Sequence, residues 1–253
     1  HHILKNAGYD VGIAGNIGNS FAYQIATSSY DVYVVELSSF QLDNCYQFTP
    51  KIAVLLNITP DHLDRYEYSM EKYIASKFRI TQNLTSTDAF IYSADDENIK
   101  NYIQKNEQNL QFKHYPFSLN KIDADNCAFI DKEHLVVKIN NSEIIMSIKE
   151  LALQGKHNLN DSMAASIASR LLDIKSKYIQ ASLSDFVNAE HRLEYVAEIH
   201  GITFINDSKA TNVNSAWFAL ESVKGKIIWI AGGLDKGNDY SPLFSMVQSK
   251  VKA

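Results

Sequence analysis

Cysteine and proline are scarce in this sequence, with two and four among 253 residues. Cys45 and Cys127 lie far apart and lack the spacing of a metal-binding pair. That removes a disulfide framework and fits a reducing, cytoplasmic setting. The few prolines form no Pro-rich linker, and no repeat or low-complexity tract divides the chain. A basic excess is missing too: Lys plus Arg number 24 against 29 Asp plus Glu, a net charge of −5. No electrostatic footprint for nucleic acid or an anionic membrane follows from that balance. No apolar stretch approaches the roughly 20 residues needed to cross a bilayer, so membrane insertion is not expected. What is present, 45% hydrophobic and 21% charged residues, is ordinary for a globular protein. The length suffices for one large or two modest domains with a real core. His1-His2 runs straight into ILKNAGYDV and reads as the interior of a helix, so the chain starts mid-domain.

Residues 52–84 organise the rest. Ile52–Leu56 is a short apolar run of strand type, and a polar loop from Asn57 to Asp64 ends it. A helix begins at Ser69, a plausible N-cap, with Glu71 in its first turn. At helical spacing Met70, Tyr73, Ile74, Ile80, Thr81 and Leu84 share one face, Lys77 falls in its middle, and Lys72 and Arg79 point the opposite way. One reading has Lys77 snorkel, its stem buried and its ammonium in water. The other has burial depress its pKa and make the amine reactive or metal-associated. Asp61-His62, in the loop closing the preceding strand, favours the second, because α/β proteins bind ligands at the C-terminal ends of strands. His62 alone would read as an ordinary loop histidine.

Taken in order, residues 1–8 read as the last turns of a helix stopped by Gly8. Val11–Ala14 leads into Gly15-Asn16-Ile17-Gly18, either a plain strand-to-helix turn or a close backbone approach to a ligand. Asp31–Leu37 reads as a buried parallel-sheet strand ending in Glu36-Leu37-Ser38-Ser39-Phe40-Gln41. An acidic residue followed by hydroxyls resembles the metal-and-phosphate corner of a nucleotide-binding sheet. Alternatively Ser38 or Ser39 caps a helix and Glu36 is merely solvated. Ala89–Tyr92 and Gln111–Tyr115 read as strands, with a helix around Glu97–Gln104 between them. CAFID, LVVKI and EIIMSI in 127–147 alternate as peripheral hairpin strands turning at Asn140-Asn141. Gly155-Lys156-His157-Asn158 precedes a small-residue helix, Ser162–Leu172, and another helix follows at about Leu183–Ala189. A boundary is expected near Ala189–Glu190, followed by strands at Leu193–Ile199, Ile202–Ile205 and Ile227–Ala231. The loops Asn206–Asn212 and Gly232–Gly237 would form a Rossmann-like binding edge, although either loop alone reads as solvated charge.

These segments together resemble the Mur ligases, the ATP-dependent amide-forming enzymes of bacterial cell-wall synthesis. The matching stretches are GNIG at 15–18, ELSSFQ at 36–41, NITPDHLDRY at 57–66, Lys77 followed by FRI, GKHN at 155–158, HR at 191–192, NDSKATN at 206–212 and GGLDKG at 232–237. They occur in family order over nearly the whole chain, and ELSSFQ with NDSKATN points to the D-glutamate-adding member. The resemblance implies an α/β fold: a central P-loop-type ATPase domain over 1–189, mostly parallel sheet with helices and a peripheral β hairpin. Part of a Rossmann-like C-terminal domain would follow over 190–253, with catalysis in the cleft between the two. It also implies that a GxxGKT/S phosphate loop lies just before His1, and that an N-terminal uridine-nucleotide domain and the end of the C-terminal domain lie outside the chain. Such an internal fragment would be inactive alone.

The implied reaction phosphorylates the carboxylate of a UDP-linked muramoyl-L-alanine with ATP. The D-glutamate amine then attacks the acyl phosphate and expels phosphate. By resemblance Glu36 holds Mg²⁺ on the β- and γ-phosphates, and His62 with a carbamylated Lys77 holds or orients a second ion. Asn16, Ser38 and Gln41 would lie along the muramoyl substrate, Asn158 at the adenine, and Arg192 and Asp207 at phosphate or ribose. Lys209, Thr211 and Lys236 would supply charge and donors for a dicarboxylic amino acid and the transferring phosphate. Asp161 stands where similar ligases often carry Asn near the adenine. A monomer acting on small molecules is expected. A sibling ligase with another amino acid, a folate-polyglutamylating relative, and a non-catalytic nucleotide-binding α/β protein are the other readings.

Overall fold

The computed structural model describes residues 1–188, 190–234 and 238–252, and the chain divides into two compact units, His1–Phe186 and Val187–Ala253. In the first unit, helix α1 (His2–Asn6) stops as expected, with Gly8 at a φ of +91°. Strand β1 (Val11–Gly15) leads to helix α2 (Phe21–Thr27), and β2 (Val32–Glu36) to the short helix α3 (Ser39–Leu42). The two strands form their own parallel ladder, in which Gly15 pairs with Glu36. β2 is half-buried from Val32 to Val35 and exposed at Glu36, rather than buried. The pairing demands glycine at position 15: a Cβ there would meet the Glu36 carbonyl oxygen at 2.1 Å.

The main sheet holds β3 (Ile52–Leu55), β4 (Ala89–Ser93), β5 (Lys113–Ser118), β6 (Cys127–Asp131), β7 (His134–Ile139) and β8 (Ser142–Ser147), in that spatial order. Its first pairings are parallel and its last two antiparallel. The turn at Asn140-Asn141 has φ of +51° and +59°, the left-handed pair a two-residue hairpin needs. The hairpin strands are not peripheral, however. β6 joins β5 through Phe117 and Ala128, and Ala128, Leu135, Val137, Ile139, Ile144 and Met146 line the main core. Alternate residues of these strands face the main core, while Cys127, Phe129 and Val136 are buried in a small cluster of their own on the opposite face, so the hairpin is covered on both sides.

Helices α4 (Met70–Phe78) and α5 (Glu97–Asn106) cover the second core cluster, built on Ala53, Tyr66, Tyr73, Phe78, Phe90 and Ile99. α4 gives way to a 3₁₀ turn at Arg79–Thr81, so Ile80 and Leu84 reach the same cluster from beyond the helix. Helix α6 (Lys156–Leu171) starts six residues earlier than expected, with Gly155 as N-cap at φ +100°, so Lys156-His157-Asn158 is its first turn. Helix α7 (Ser176–Asp185) likewise precedes the expected Leu183–Ala189 segment, because Ile179 and Ser182 are the residues it buries; Ala189 lies outside the described residues.

The second unit opens with an antiparallel hairpin of β9 (Glu194–Ile199) and β10 (Ile202–Asn206), turning at His200-Gly201. Helices α8 (Val213–Ser222) and α9 (Phe244–Lys250) follow. The expected strand at Ile227–Ala231 is not formed: Ile227 makes one isolated bridge with Val251, and Ile230 is 95% exposed. A β-branched run becomes a strand only where a ladder partner extends along it, and among the described residues this one is paired at Ile227 alone. Of the two neighbouring strands expected at a binding edge, only β10 is formed among the described residues, and Asp235–Gly237 of the second loop lie outside them.

Candidate active site

Three segments of the first unit converge around Lys77. Glu36, at the end of β2, is exposed and accepts a hydrogen bond from the Asn16 amide at 3.3 Å, while the Asn16 backbone N–H donates to the Glu36 carbonyl. Gly15 of GNIG thus serves a close approach of two strand ends, whereas a Cβ on Gly18 would meet the Ile13 carbonyl oxygen of β1 at 2.7 Å. Ser38 caps α3 in a full capping box: its hydroxyl oxygen accepts from the Gln41 N–H, and the Gln41 side-chain oxygen accepts from the Ser38 N–H. Ser38 and Gln41 therefore have a structural duty beside any contact with a ligand.

The loop after β3 is held at its start by groups from the N-terminus of α5. The Ile58 N–H donates to Asp96 at 2.8 Å, and Asn98 donates to the Ile58 carbonyl at 2.8 Å. Ile58 is 1% exposed, so both of its backbone groups need these partners. Further along, His62 adopts a left-handed backbone with φ +51° at the head of a 3₁₀ turn, Leu63–Tyr66. Its imidazole packs edge-on against Phe40 of α3 and lies 3.6 Å from Asp61. Arg65 stacks on the same Phe40 ring at 4.4 Å, which brings ELSSFQ and the loop together.

Ser69 caps α4 by accepting from the Lys72 N–H, as its sequence position indicated. Lys77 is half-buried, its ammonium 5.5 Å from the centre of the Tyr73 ring. Burial pulls the Lys77 pKa down, and the charges of Asp61 and Glu36 act against that shift. Tyr73 is pushed up to about 12 by burial, by Asp61 and by Tyr66. Asp61 and Tyr73 are the participants that sequence reasoning passed over: Asp61 served only as the neighbour of His62, and Tyr73 read as core. Arg79 is half-buried, and its guanidinium donates to the carbonyls of Leu42, at the end of α3, and of Cys45 just beyond it.

The remaining sequence-derived positions lie elsewhere. Asn158 sits on the first turn of α6 and donates to the Gln154 carbonyl at 2.7 Å. In the second unit Asp207 accepts from the Leu193 N–H at 3.0 Å, and the Lys209 N–H donates to the His191 carbonyl at 3.2 Å. Those two bonds bring Arg192, Asp207 and Lys209 to the same end of the β9–β10 hairpin, with Arg192 and Lys209 exposed. Thr211 is exposed beside Asn212, the N-cap of α8. Lys236 lies outside the described residues.

Residues 1–169 match the Mur ligase middle domain. The chain belongs to the Mur ligase family. A UDP-N-acetylmuramoylalanine–D-glutamate ligase of Christiangramia forsetii is 52% identical over 252 residues, covering all of this chain and 56% of that relative. A ligase of the same name from Porphyromonas gingivalis is 48% identical, covering 99% of this chain and 56% of its own length. The chain thus spans about half the length of these Mur ligases. Among solved structures, the MurF ligase of Thermotoga maritima in complex with ADP superposes with a TM-score of 0.69 at 17% identity, covering 99% of this chain and 61% of that one. E. coli FolC in complex with DHPP and ADP gives 0.69 at 15%, covering 99% and 68%. Those distant likenesses establish the shared Mur ligase fold, a mixed α/β architecture around a mostly parallel sheet.

Proposed function

We propose that the protein carrying this chain is an ATP-dependent, ADP-forming ligase that adds D-glutamate to UDP-N-acetylmuramoyl-L-alanine in peptidoglycan precursor synthesis. The observation that carries the reading is a half-buried Lys77 that feels the charges of Asp61, in the loop after β3, and of Glu36, at the end of β2, within a chain about half identical to D-glutamate ligases. Residues 1–189 would form the ATPase domain and 190–253 part of the ligase domain.

The donor set suits a hard cation. Among the described residues no three His, Cys, Asp or Glu side chains gather into a metal cage. Mg²⁺ needs none, since it is commonly held by one or two carboxylates and the nucleotide phosphates. Glu36 would hold one ion, and His62 with Lys77 would hold or orient a second. When bound, the metal would neutralise charge on the phosphate oxygens. Lys77 would act as a carbamate: its neutral amine adds to CO₂, a proton leaves, and the cation becomes an anionic oxygen donor. Burial favours the neutral amine that this addition requires.

Asn16, Ser38 and Gln41 would orient the muramoyl substrate, and Asn158 the adenine. Arg192, with its fixed fork of donors, suits phosphate, with Asp207 and Lys209 beside it. Thr211 and Lys236 would meet the D-glutamate carboxylates or the transferring phosphate. No helix among the described residues is long and apolar enough to cross a membrane. The protein would work in the cytoplasm as a monomer on small molecules, without nucleic acid.

The test is product formation by the full-length gene product given MgATP, UDP-muramoyl-L-alanine and single amino acids. D-glutamate should be incorporated with one ADP formed per amide bond. Preference for another amino acid, or glutamylation of a folate instead, would replace the substrate assignment.

A further inference from the structure

Behind the candidate site lies a polar knot that the proposed chemistry does not use. Asp43 follows α3 as its C-cap residue, Tyr66 closes the 3₁₀ turn after His62, and Ser76 on α4 immediately precedes Lys77. Ser76 Oγ donates to Asp43 Oδ1 at 2.6 Å, and Tyr66 OH donates to Asp43 Oδ2 at 3.0 Å. The two hydroxyl oxygens are 3.1 Å apart, and Ser76 Oγ is also 3.2 Å from the Ser39 carbonyl. Tyr66 is 7% exposed and Ser76 5%, so neither hydroxyl has bulk water as a substitute partner.

Proton accounting decides which of these contacts governs. Each hydroxyl carries one hydrogen and the ionised carboxylate none, so four short contacts share two donors. Both hydrogens are best placed on the carboxylate, one per oxygen, because bonds to a charged acceptor are the stronger ones. Asp43 is then a bidentate acceptor that no neutral side chain of its length reproduces. Asparagine offers one acceptor oxygen and one amino donor, so one of the two hydroxyls would have to reverse its role.

The three residues stand on the three segments that make the site. Asp43 belongs to the segment of Glu36, Ser38 and Gln41, Tyr66 to the loop of His62, and Ser76 to the helix of Lys77. Successive helical residues are about 100° apart, so fixing the direction of Ser76 fixes the direction of Lys77. The apolar stripe of α4 sets which side of the helix is buried, but it tolerates small rotations that the bonds to Asp43 do not.

We propose that Asp43 is a positioning residue for the ligase reaction, holding Lys77 and His62 in place relative to Glu36 through Ser76 and Tyr66. This rests on the ligase reading above. Asp43 acts through its two buried hydroxyl partners rather than by touching substrate.

The experiment is steady-state kinetics on the full-length protein with Tyr66→Phe, Asp43→Ala, Asp43→Asn and Asp43→Glu. Misplacing a catalytic group by a fraction of an ångström should lower kcat about ten-fold or more. KM for ATP and for D-glutamate should stay within about two-fold, because no binding contact is removed. Asp43→Asn should fall between the wild type and Asp43→Ala, and Asp43→Glu, which keeps both acceptors, should recover most of the rate. The double variant Asp43→Ala with Tyr66→Phe should be no slower than Asp43→Ala alone, since both changes open one knot. Thermal melts of each variant separate misplacement from unfolding, and if Asp43→Ala does not fold, Tyr66→Phe, which removes one hydroxyl, decides. Wild-type protein that makes no product overturns the ligase reading itself. An active wild type with folded Tyr66→Phe and Asp43→Asn at unchanged kcat, or with KM raised instead, overturns the positioning role alone.

Discussion

Lys77 holds its ammonium 5.5 Å from the centre of the Tyr73 ring, one helical turn earlier on the same face of α4. The ring supplies part of the burial that lowers the lysine pKa, and Asp61 acts on both residues. Because the folded pKa lies below the ordinary 10.5, the unfolded chain binds more protons in the interval between them, and stability rises with pH there. Burying a charged Lys77 thus costs stability at neutral pH, and the cost fades as the pH climbs through the folded value towards 10.5. Lys77→Met should remove that slope. Urea midpoints of the two proteins measured between about pH 7 and pH 10 should converge as the pH rises; a constant difference would mean that Lys77 is not desolvated.

In the full-length protein Lys77→Ala should lose nearly all ligase activity while remaining folded. Short carboxylates should restore part of it by occupying the vacated space, and Lys77→Arg should not substitute, since guanidinium forms no carbamate. Turnover by Lys77→Arg near the wild-type level would leave only a structural role for this side chain.

Gly15→Ala tests the joining of β1 to Glu36. The φ of +100° and a Cβ 2.1 Å from the Glu36 carbonyl oxygen allow no simple accommodation. Backbone strain and overpacking together should cost about 2–4 kcal/mol. A variant as stable as the wild type in urea titration would show that this strand end relaxes freely.

Asp96 both caps α5, accepting from the Ile99 N–H at 3.0 Å, and holds Ile58. Asp96→Ala should lose about 2–3 kcal/mol, one part from the cap and one from the stranded Ile58 N–H. Hydrogen exchange should show the Ile58 amide opening before the amides of β3. Unchanged protection there would remove Asp96 as an anchor of the His62 loop.

Asp88 ties the starts of β3 and β4, accepting from Thr85 and from Lys51, and those bonds hold its carboxyl at about 2 against an ordinary 3.8. A depressed carboxylate contributes stability above its unfolded value and loses it as the pH falls through the folded one. The stability gap between the wild type and Asp88→Asn should therefore be full near neutral pH and close between 3.8 and about 2. A gap independent of pH would contradict the role of charge.

What the sequence revealed was what local signals encode. Gly8, the Ser69 cap and the Asn140-Asn141 turn each depend on a few adjacent residues, and each stands where its chemistry put it. The prominence of Lys77 was legible because the period of its helix made a lysine conspicuous among apolar neighbours. Gly155 misled, since a left-handed glycine can end a loop by starting a helix, and α6 begins directly after it. The Ile227–Ala231 run misled because strand formation depends on a partner that the run itself does not specify. The knot of Asp43, Tyr66 and Ser76 was invisible for a related reason: Asp43 and Ser76 are 33 positions apart, and nothing local to either marks the pairing.

The most direct test of the ligase account labels the carboxylate of UDP-muramoyl-L-alanine with ¹⁸O and follows the label during turnover by the full-length protein. If that carboxylate attacks the γ-phosphorus and the D-glutamate amine then displaces phosphate, one labelled oxygen leaves in the phosphate for each amide bond formed. Phosphate carrying one ¹⁸O, dependent on both ATP and D-glutamate, is the expected result. Amide formation with unlabelled phosphate would contradict activation through an acyl phosphate.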